Sequence, residues 1–119
     1  MPHLNIEKEN GDPLIIETDA EGFLKDPSLW QPSIASAIAH HLGINLTDQH
    51  WEVIHFARQF YQQYQTIPVA RIFIKQLQIH LQSDTVNSMY LIGLFNAQLI
   101  RTIAQIAGIP KPSHCFSSL

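Results

Sequence analysis

Residues 46–64, LTDQHWEVIHFARQFYQQY, carry the signals of a long amphipathic helix. Thr47 is a residue type that caps helix N-termini, and Asp48 favours the positive end of the helix dipole. Leu46 can pack onto Trp51 as a hydrophobic staple. Apolar and aromatic residues then continue one face, at Val53, Ala57, Phe60, Tyr61 and Tyr64. The stretch predicts a helix and a mainly helical domain around it.

Helical patterns flank this stretch on both sides. Apolar residues spaced by three or four positions predict further helices over about 32–43, 68–81, 88–95 and 97–107. Gly108 is suited to end the last of them, since glycine accepts the left-handed conformation of a helix C-terminus. The chain therefore carries about five predicted helices.

The first quarter of the chain has the character of strands and turns. Residues 14–18, LIIET, form a short β-branched run between two turn signals, NGDP at 10–13 and DAEG at 19–22. We expect a small hairpin or meander that must pack on the helices. The predicted fold class is α+β, mainly α, with a small N-terminal β-hairpin or meander packed on a bundle of about five helices. We expect a single domain, with the meander at 1–26, the bundle at 27–108 and an extended C-terminal arm at 109–119.

Composition limits the function. The 119 residues fit one domain with net charge −3, and no apolar run reaches the roughly 18 residues of a membrane span. Residues 1–52 hold nine acids and two bases, whereas residues 53–119 hold one acid and five bases. The single cysteine and the lack of an export pattern favour a reducing cytoplasm.

That cysteine, Cys115, follows an arm that cannot be helical. Pro110 and Pro112 favour an extended backbone and Gly108 can act as a pivot. Lys111 and His114 place positive or polarisable groups near the sulfur and would raise its thiolate fraction. Such a thiolate can attack a persulfide and carry its sulfur onward. No second cysteine is present to resolve that species, which favours a carrier over a dithiol redox protein. From the residues alone, an idle surface thiol remains the alternative.

Several motifs resemble one family. Residues 106–115, IAGIPKPSHC, are similar to the family ending A-G-L-P-K-P-x-x-C. Other matching segments are LTDQHWEVI at 46–54 with Arg58, Phe60 and Tyr61 behind it, PVAR at 68–71 with Lys75, and GFL at 22–24 with Trp30. The chain thus resembles the TusE/DsrC family of sulfur-carrier proteins, also described as the gamma subunit of dissimilatory sulfite reductase.

The resemblance implies a sulfurtransferase with Cys115 as its catalytic residue. One family type carries a second cysteine where this chain has Ala104, so the chain resembles the single-cysteine, TusE-like type. That type implies a relay from a multi-subunit sulfur-transfer complex of the TusBCD/DsrEFH kind to a tRNA thiolase that makes wobble 2-thiouridine. Dissimilatory sulfite reductase is a further candidate partner. No cofactor is expected beyond the transient cysteine persulfide.

Three basic residues are candidates for docking partners or steadying a persulfide anion. Arg71 and Lys75 are four residues apart, so a helix places them on one face. Arg101 lies on the last predicted helix. A solvated face without function is the alternative for all three.

Two departures from the family pattern bear on these expectations. Residues 116–119, FSSL, follow the cysteine, which in the family is normally next to last. The stretch 94–99, LFNAQL, replaces a family Leu-Phe-Pro-x-Gly-Pro. Loss of the prolines and glycine predicts an earlier start of the last helix.

Other classes of function fit the residues less well. The second hypothesis is a divergent, non-catalytic binding or regulatory module of the family. A metal site is not expected, because neighbours His40 and His41 diverge on a helix and the chain has one thiol. Direct nucleic-acid binding is disfavoured by the net charge and by the lack of a dense basic stripe.

Overall fold

The chain begins with two short paired strands. The computed structural model describes residues 3–7, 13–19 and 22–110. Strands β1 (His3–Glu7) and β2 (Pro13–Glu17) pair antiparallel, with His3 opposite Glu17. Strand β1 lies against the first helix.

The predicted fold class, α+β with a meander, is wrong. Within the described residues no third strand follows β2, and only an isolated bridge joins Thr18 to Leu24. Asp19 turns the chain back at once, since its carboxylate accepts from the Phe23 N–H at 3.0 Å. Phe23 and Leu24 are then fully buried in the helical core. Two five-residue strands do not make an independent layer, so the architecture is that of a helical bundle.

Five helices make up the bundle in the described ranges. They are α1 (Pro32–His41), α2 (Asp48–Tyr64), α3 (Ala70–Leu81), α4 (Ser88–Leu94) and α5 (Leu99–Ile106). A short 3-10 turn at Pro27–Leu29 precedes α1. The predicted helix bounds agree with these to within about two residues, which is the usual uncertainty of helix ends. No helix in the described ranges is both long and apolar enough to cross a bilayer.

The start of α2 uses a histidine in its cap. The Thr47 backbone N–H donates to Nδ1 of His50 at 3.0 Å, and the Thr47 hydroxyl lies 2.8 Å from the same nitrogen. On the other side of the ring, Nε2 lies 2.5 Å from the carbonyl oxygen of Leu94. A carbonyl only accepts, so Nε2 carries the proton and Nδ1 is the acceptor. Buried His50 therefore fills the place that Glu or Gln takes in a capping box and ties α2 to the end of α4.

Helix α5 is the centre of the core. Apart from half-buried Arg101, every residue of α5 is buried, and both α1 and α2 pack against it. A helix that is buried nearly all round is positioned by its neighbours rather than by one apolar stripe. The direction in which the chain leaves α5 is consequently set by the bundle.

The start of α5 is later than predicted. It begins at Leu99 rather than Ala97, because the Asn96 side chain organises the preceding turn. Its Oδ1 accepts from the Gln98 N–H and from the buried Thr102 hydroxyl, both at 2.9 Å. Asparagine competes with the helix by bonding to nearby groups in this way. Removing the family's prolines therefore does not make α4 and α5 continuous in this chain.

Candidate functional site at the end of α5

The predicted arm residues lie only partly within the described structure. Gly108 follows α5, and Pro110, two residues on, is half-buried. The other members of the predicted set lie outside the described residues: Lys111, Pro112, His114 and Cys115. Their roles stay predictions. The described part of the site is its base, residues 104–110, which we name the arm root.

The backbone of the arm root forms a Schellman motif. Gly108 has φ +69°, and its N–H donates to the Gln105 carbonyl at 3.2 Å. The next residue, Ile109, donates its N–H to the Ala104 carbonyl at 2.9 Å and is only 1% exposed. These two bonds and the buried apolar residue after glycine define the motif. The chain thus remains fixed to the bundle for one residue beyond Gly108.

Two distant side chains satisfy the remaining carbonyls of the last turn. Nε1 of Trp30 donates to the Ile106 carbonyl at 2.8 Å. Nη1 of Arg58 donates to the Ala107 carbonyl at 2.6 Å. Helix C-termini leave four carbonyls without intrahelical partners, and here all four have a donor. The arm root is therefore held by side chains from before α1 and from α2.

Position 108 also has no space for a side chain, so glycine is required there. A Cβ at this position would overlap Cδ1 of Trp30 and lie 2.8 Å from its Cγ. The indole therefore rests directly on the glycine backbone. Any other residue would meet both this contact and an unfavourable left-handed conformation.

Arg58 adds charge to the same place. Its guanidinium carbon lies 4.2 Å from the centre of the Trp30 ring, which is a cation–π arrangement. Burial lowers the pKa of Arg58 below its ordinary value, but an arginine remains a cation in proteins. A cation at a helix C-terminus is favourable because the carbonyls there carry the negative end of the helix dipole.

An aromatic row continues from Trp30 along α2. The exposed ring of His55 meets Trp30 edge-on, with ring centres 6.4 Å apart, and stacks on Trp51 at 5.8 Å. Residues 51, 55 and 58 are spaced to share one face of α2. This face and Trp30 together form one wall beside the arm root.

The three predicted docking residues are divided between two helices. Arg71 and Lys75 are exposed on one face of α3. Arg101 is half-buried on α5, with its guanidinium 5.8 Å from the centre of the Phe23 ring. The structure therefore brings Arg71 and Lys75 onto a common face and places Arg101 on a different helix. Their docking role stays a prediction.

Sequence reasoning missed the structural roles of Trp30 and Arg58. Both occur in the segments that resemble the family, but they were assigned no function. Their separations of 76 and 49 residues from the carbonyls they bond leave no periodic signal. The one signal in the sequence was that Trp30 and Arg58 match the family pattern without an assigned role.

Comparison with known proteins places this geometry in a family. The family model described as DsrC like protein matches residues 12–116. The chain belongs to the DsrC-like family. The resemblance seen in the sequence is thereby confirmed.

Curated DsrC-like relatives carry a functional name. The Sulfurtransferase TusE homolog of Haemophilus influenzae is 43% identical over 100 residues, which are 84% of this chain and 92% of that protein. Sulfurtransferase TusE of Escherichia coli K12 is 41% identical over 100 residues, with the same shares. The predictions of a sulfurtransferase and of a sulfur-carrier role in a relay are confirmed by these relatives.

Solved DsrC structures share the fold. DsrC of Allochromatium vinosum, determined by NMR, superposes with a TM-score of 0.80 at 32% identity, covering 94% of this chain and 97% of that one. The oxidized gamma subunit of dissimilatory sulfite reductase (DsrC) from Archaeoglobus fulgidus gives a TM-score of 0.76 at 30% identity, with the same coverage. The link to sulfite reductase belongs to the second protein.

Proposed function

We propose that this DsrC-like chain carries sulfur as a persulfide on Cys115. The observation that carries the proposal is that Cys115 is the only cysteine in a chain whose relatives are sulfurtransferases. The family match also extends to residue 116 and so includes this position. A sulfur carrier needs one nucleophilic sulfur, and the chain offers one.

The transfer step needs no external oxidant. The Cys115 thiolate attacks the outer sulfur of a donor persulfide and forms a new S–S bond. The donor S–S bond breaks, and its electron pair leaves with the donor thiolate. Cys115 then holds the persulfide anion, which the next acceptor can attack or use as a nucleophile.

Nearby groups support thiolate formation at Cys115. Lys111 and His114 lie four and one residues away in sequence, and the half of the chain after residue 52 has a net positive charge. Positive charge lowers the pKa of a cysteine thiol because it stabilises the thiolate. Pro110 and Pro112 would limit the conformations of the arm and so reduce the entropy lost on entering a partner.

The proposed partners are those that the single-cysteine, TusE-like type of the family implies. The donor would be a multi-subunit complex of the TusBCD/DsrEFH kind, and the acceptor a tRNA thiolase in the cytoplasm that makes wobble 2-thiouridine. Dissimilatory sulfite reductase is the further candidate partner. Arg71 and Lys75 on α3, together with Arg101 on α5, are the candidate docking residues. No resident metal or cofactor is needed for this chemistry.

Intact-mass spectrometry tests the proposal. The chain is incubated with glutathione persulfide and measured beside Cys115→Ser. We expect the wild type to gain the mass of one sulfur atom, reversed by dithiothreitol, and the variant to gain nothing. Equal sulfur uptake by the variant would overturn the assignment to Cys115.

Deletion of residues 116–119 separates the carrier from a purely binding module. A carrier keeps or gains sulfur transfer when the four residues after Cys115 are removed, because the thiol is then nearer the chain end. A docking tail instead loses affinity for the TusBCD-like complex. Loss of affinity with no sulfur uptake by the full chain would favour the binding module.

A further inference from the structure

We propose that Trp30 and Arg58 are positioning residues that set the direction in which the arm leaves the bundle. The inference rests on the proposed function, since direction matters only if the arm delivers Cys115 to a partner. Neither residue need touch the sulfur. Each acts through the backbone of the arm root.

The hydrogen bonding of the carbonyls at this helix end is complete. Backbone N–H groups satisfy the carbonyls of Ala104 and Gln105, and the two remote side chains satisfy those of Ile106 and Ala107. Buried Ala107 and Ile106 could not turn these carbonyls to solvent without unpacking. The last turn of α5 is therefore fixed in orientation as well as in position.

The two side chains also support each other. The Arg58 guanidinium lies over the Trp30 ring at 4.2 Å while both donate to adjacent carbonyls. The indole in turn covers Gly108 so closely that a Cβ would not fit. This close packing leaves the Gly108 backbone no room to move toward the ring. Trp30 thus restricts the residue whose flexibility would otherwise make it a pivot.

The residues after Gly108 carry this fixed direction into the arm. Ile109 is buried and hydrogen-bonded, so the first residue that can leave the bundle is Pro110. Proline fixes its own φ near about −65°, and a second proline follows at Pro112. The five residues that follow Pro110 and end at Cys115 would reach about 15 Å if extended. A change of angle at the arm root is therefore amplified at the sulfur.

A nitroxide attached to Cys115 tests this directly. The single cysteine gives one attachment site, and paramagnetic broadening of backbone amides reports where the label spends its time. In the wild type we expect broadening confined to one region of the bundle. In Trp30→Ala and Arg58→Met we expect that confinement to be lost while amide shifts of α3 and α4 remain native.

Conservative and control variants keep the test decisive. Trp30→Phe keeps an aromatic ring but removes the indole N–H, and Arg58→Lys replaces the planar guanidinium by a shorter side chain with a single ammonium. Both should spread the broadening in the same sense if the larger changes prevent folding. Trp51→Phe changes the neighbouring indole of the same wall and should leave the broadening map as in the wild type.

The rate of alkylation of Cys115 by iodoacetamide separates direction from reactivity. We expect it to be unchanged in all five variants, because a small reagent reaches the thiol from any direction. An unaltered broadening map in both Trp30 and Arg58 variants, or a wild-type map that already covers the whole bundle, would overturn the proposal. Neither measurement requires sulfur transfer, so a failure here is distinguishable from a failure of Cys115 to load sulfur.

Discussion

The N-terminal end of α5 is held by its own sequence neighbours, whereas the C-terminal end is held by residues from distant parts of the chain. At the first end, Asn96 bonds groups two and six residues away. At the second, Trp30 and Arg58 bond groups 76 and 49 residues away. Both sets of contacts fix an end of the same buried helix. Only the contacts at the C-terminal end depend on the assembled bundle.

The difference separates a local cap from a tertiary one. A local cap forms with its helix and is unaffected by how other elements pack. A tertiary cap exists only when α2 and the segment before α1 are in place, so it couples the arm root to the rest of the fold. The proposed carrier arm is attached at the end with the tertiary cap.

Gly108→Ala should break the tertiary end most strongly. We expect a loss of about 2–4 kcal/mol in the free energy of unfolding, from the left-handed backbone and from overlap with Trp30. Urea denaturation measures it. In a Trp30→Ala background the two closest atoms of the overlap are gone, so the penalty should fall toward that of the backbone alone.

Two other glycines provide matched controls for Gly108. Gly43 has φ +78° and open space around a Cβ, so Gly43→Ala should cost only about 1–2 kcal/mol for the left-handed conformation. Gly93 lies in α4 with open space and no positive φ, so Gly93→Ala should stabilise by about 0.5–1 kcal/mol. If Gly108→Ala cost no more than Gly43→Ala, the close packing of Trp30 would be incorrect.

Arg58→Met removes one of the two remote donors at the C-terminal end of α5 and so tests how much that end depends on it. We expect a loss of about 2 kcal/mol, because the buried Ala107 carbonyl loses a charged hydrogen-bond donor. Arg58→Lys keeps a cation near the helix end and should recover about 0.3–1 kcal/mol of that loss. Thermal and urea unfolding of the three proteins would reveal the order wild type, lysine, methionine. Equal stability of the wild type and the methionine variant would contradict the assigned role.

Asn96→Ala should have the smallest effect, since it affects only the local end. We expect a loss of about 1 kcal/mol, typical of a capping side chain. Asn96→Asp keeps the accepting oxygen and should be close to neutral. The arm-label broadening map should not change in either variant. A change there would mean that the two ends of α5 are coupled.

The same contrast explains what the sequence could predict. The helix patterns, the Thr47 cap and the Gly108 stop are local signals, and they located all five helices of the described ranges. The meander was wrong because a short β-branched run and its flanking turns do not reveal how many strands pair, and within the described residues only two do. The replacement of a family proline by Asn96 predicted an earlier start of α5. Instead, the Asn96 side chain itself holds the turn that delays the helix.

The site was less accessible to sequence reasoning than the fold. The resemblance correctly identified the family, and the family carried the sulfurtransferase function. Trp30 and Arg58 were not found, because contacts across 49 or 76 residues require knowledge of how the helices pack. The bond of His50 to the Leu94 carbonyl, 44 residues away, is not visible in the sequence for the same reason.

Both tryptophans of the chain contact one imidazole, that of His55. Intrinsic indole fluorescence consequently monitors a single corner of the molecule, whereas circular dichroism averages over every helix. A denaturation midpoint recorded by emission at lower urea than by ellipticity would mean that this corner melts before the remainder. The tryptophan fluorescence of the unlabelled protein therefore reports the local stability of the region from which the arm projects.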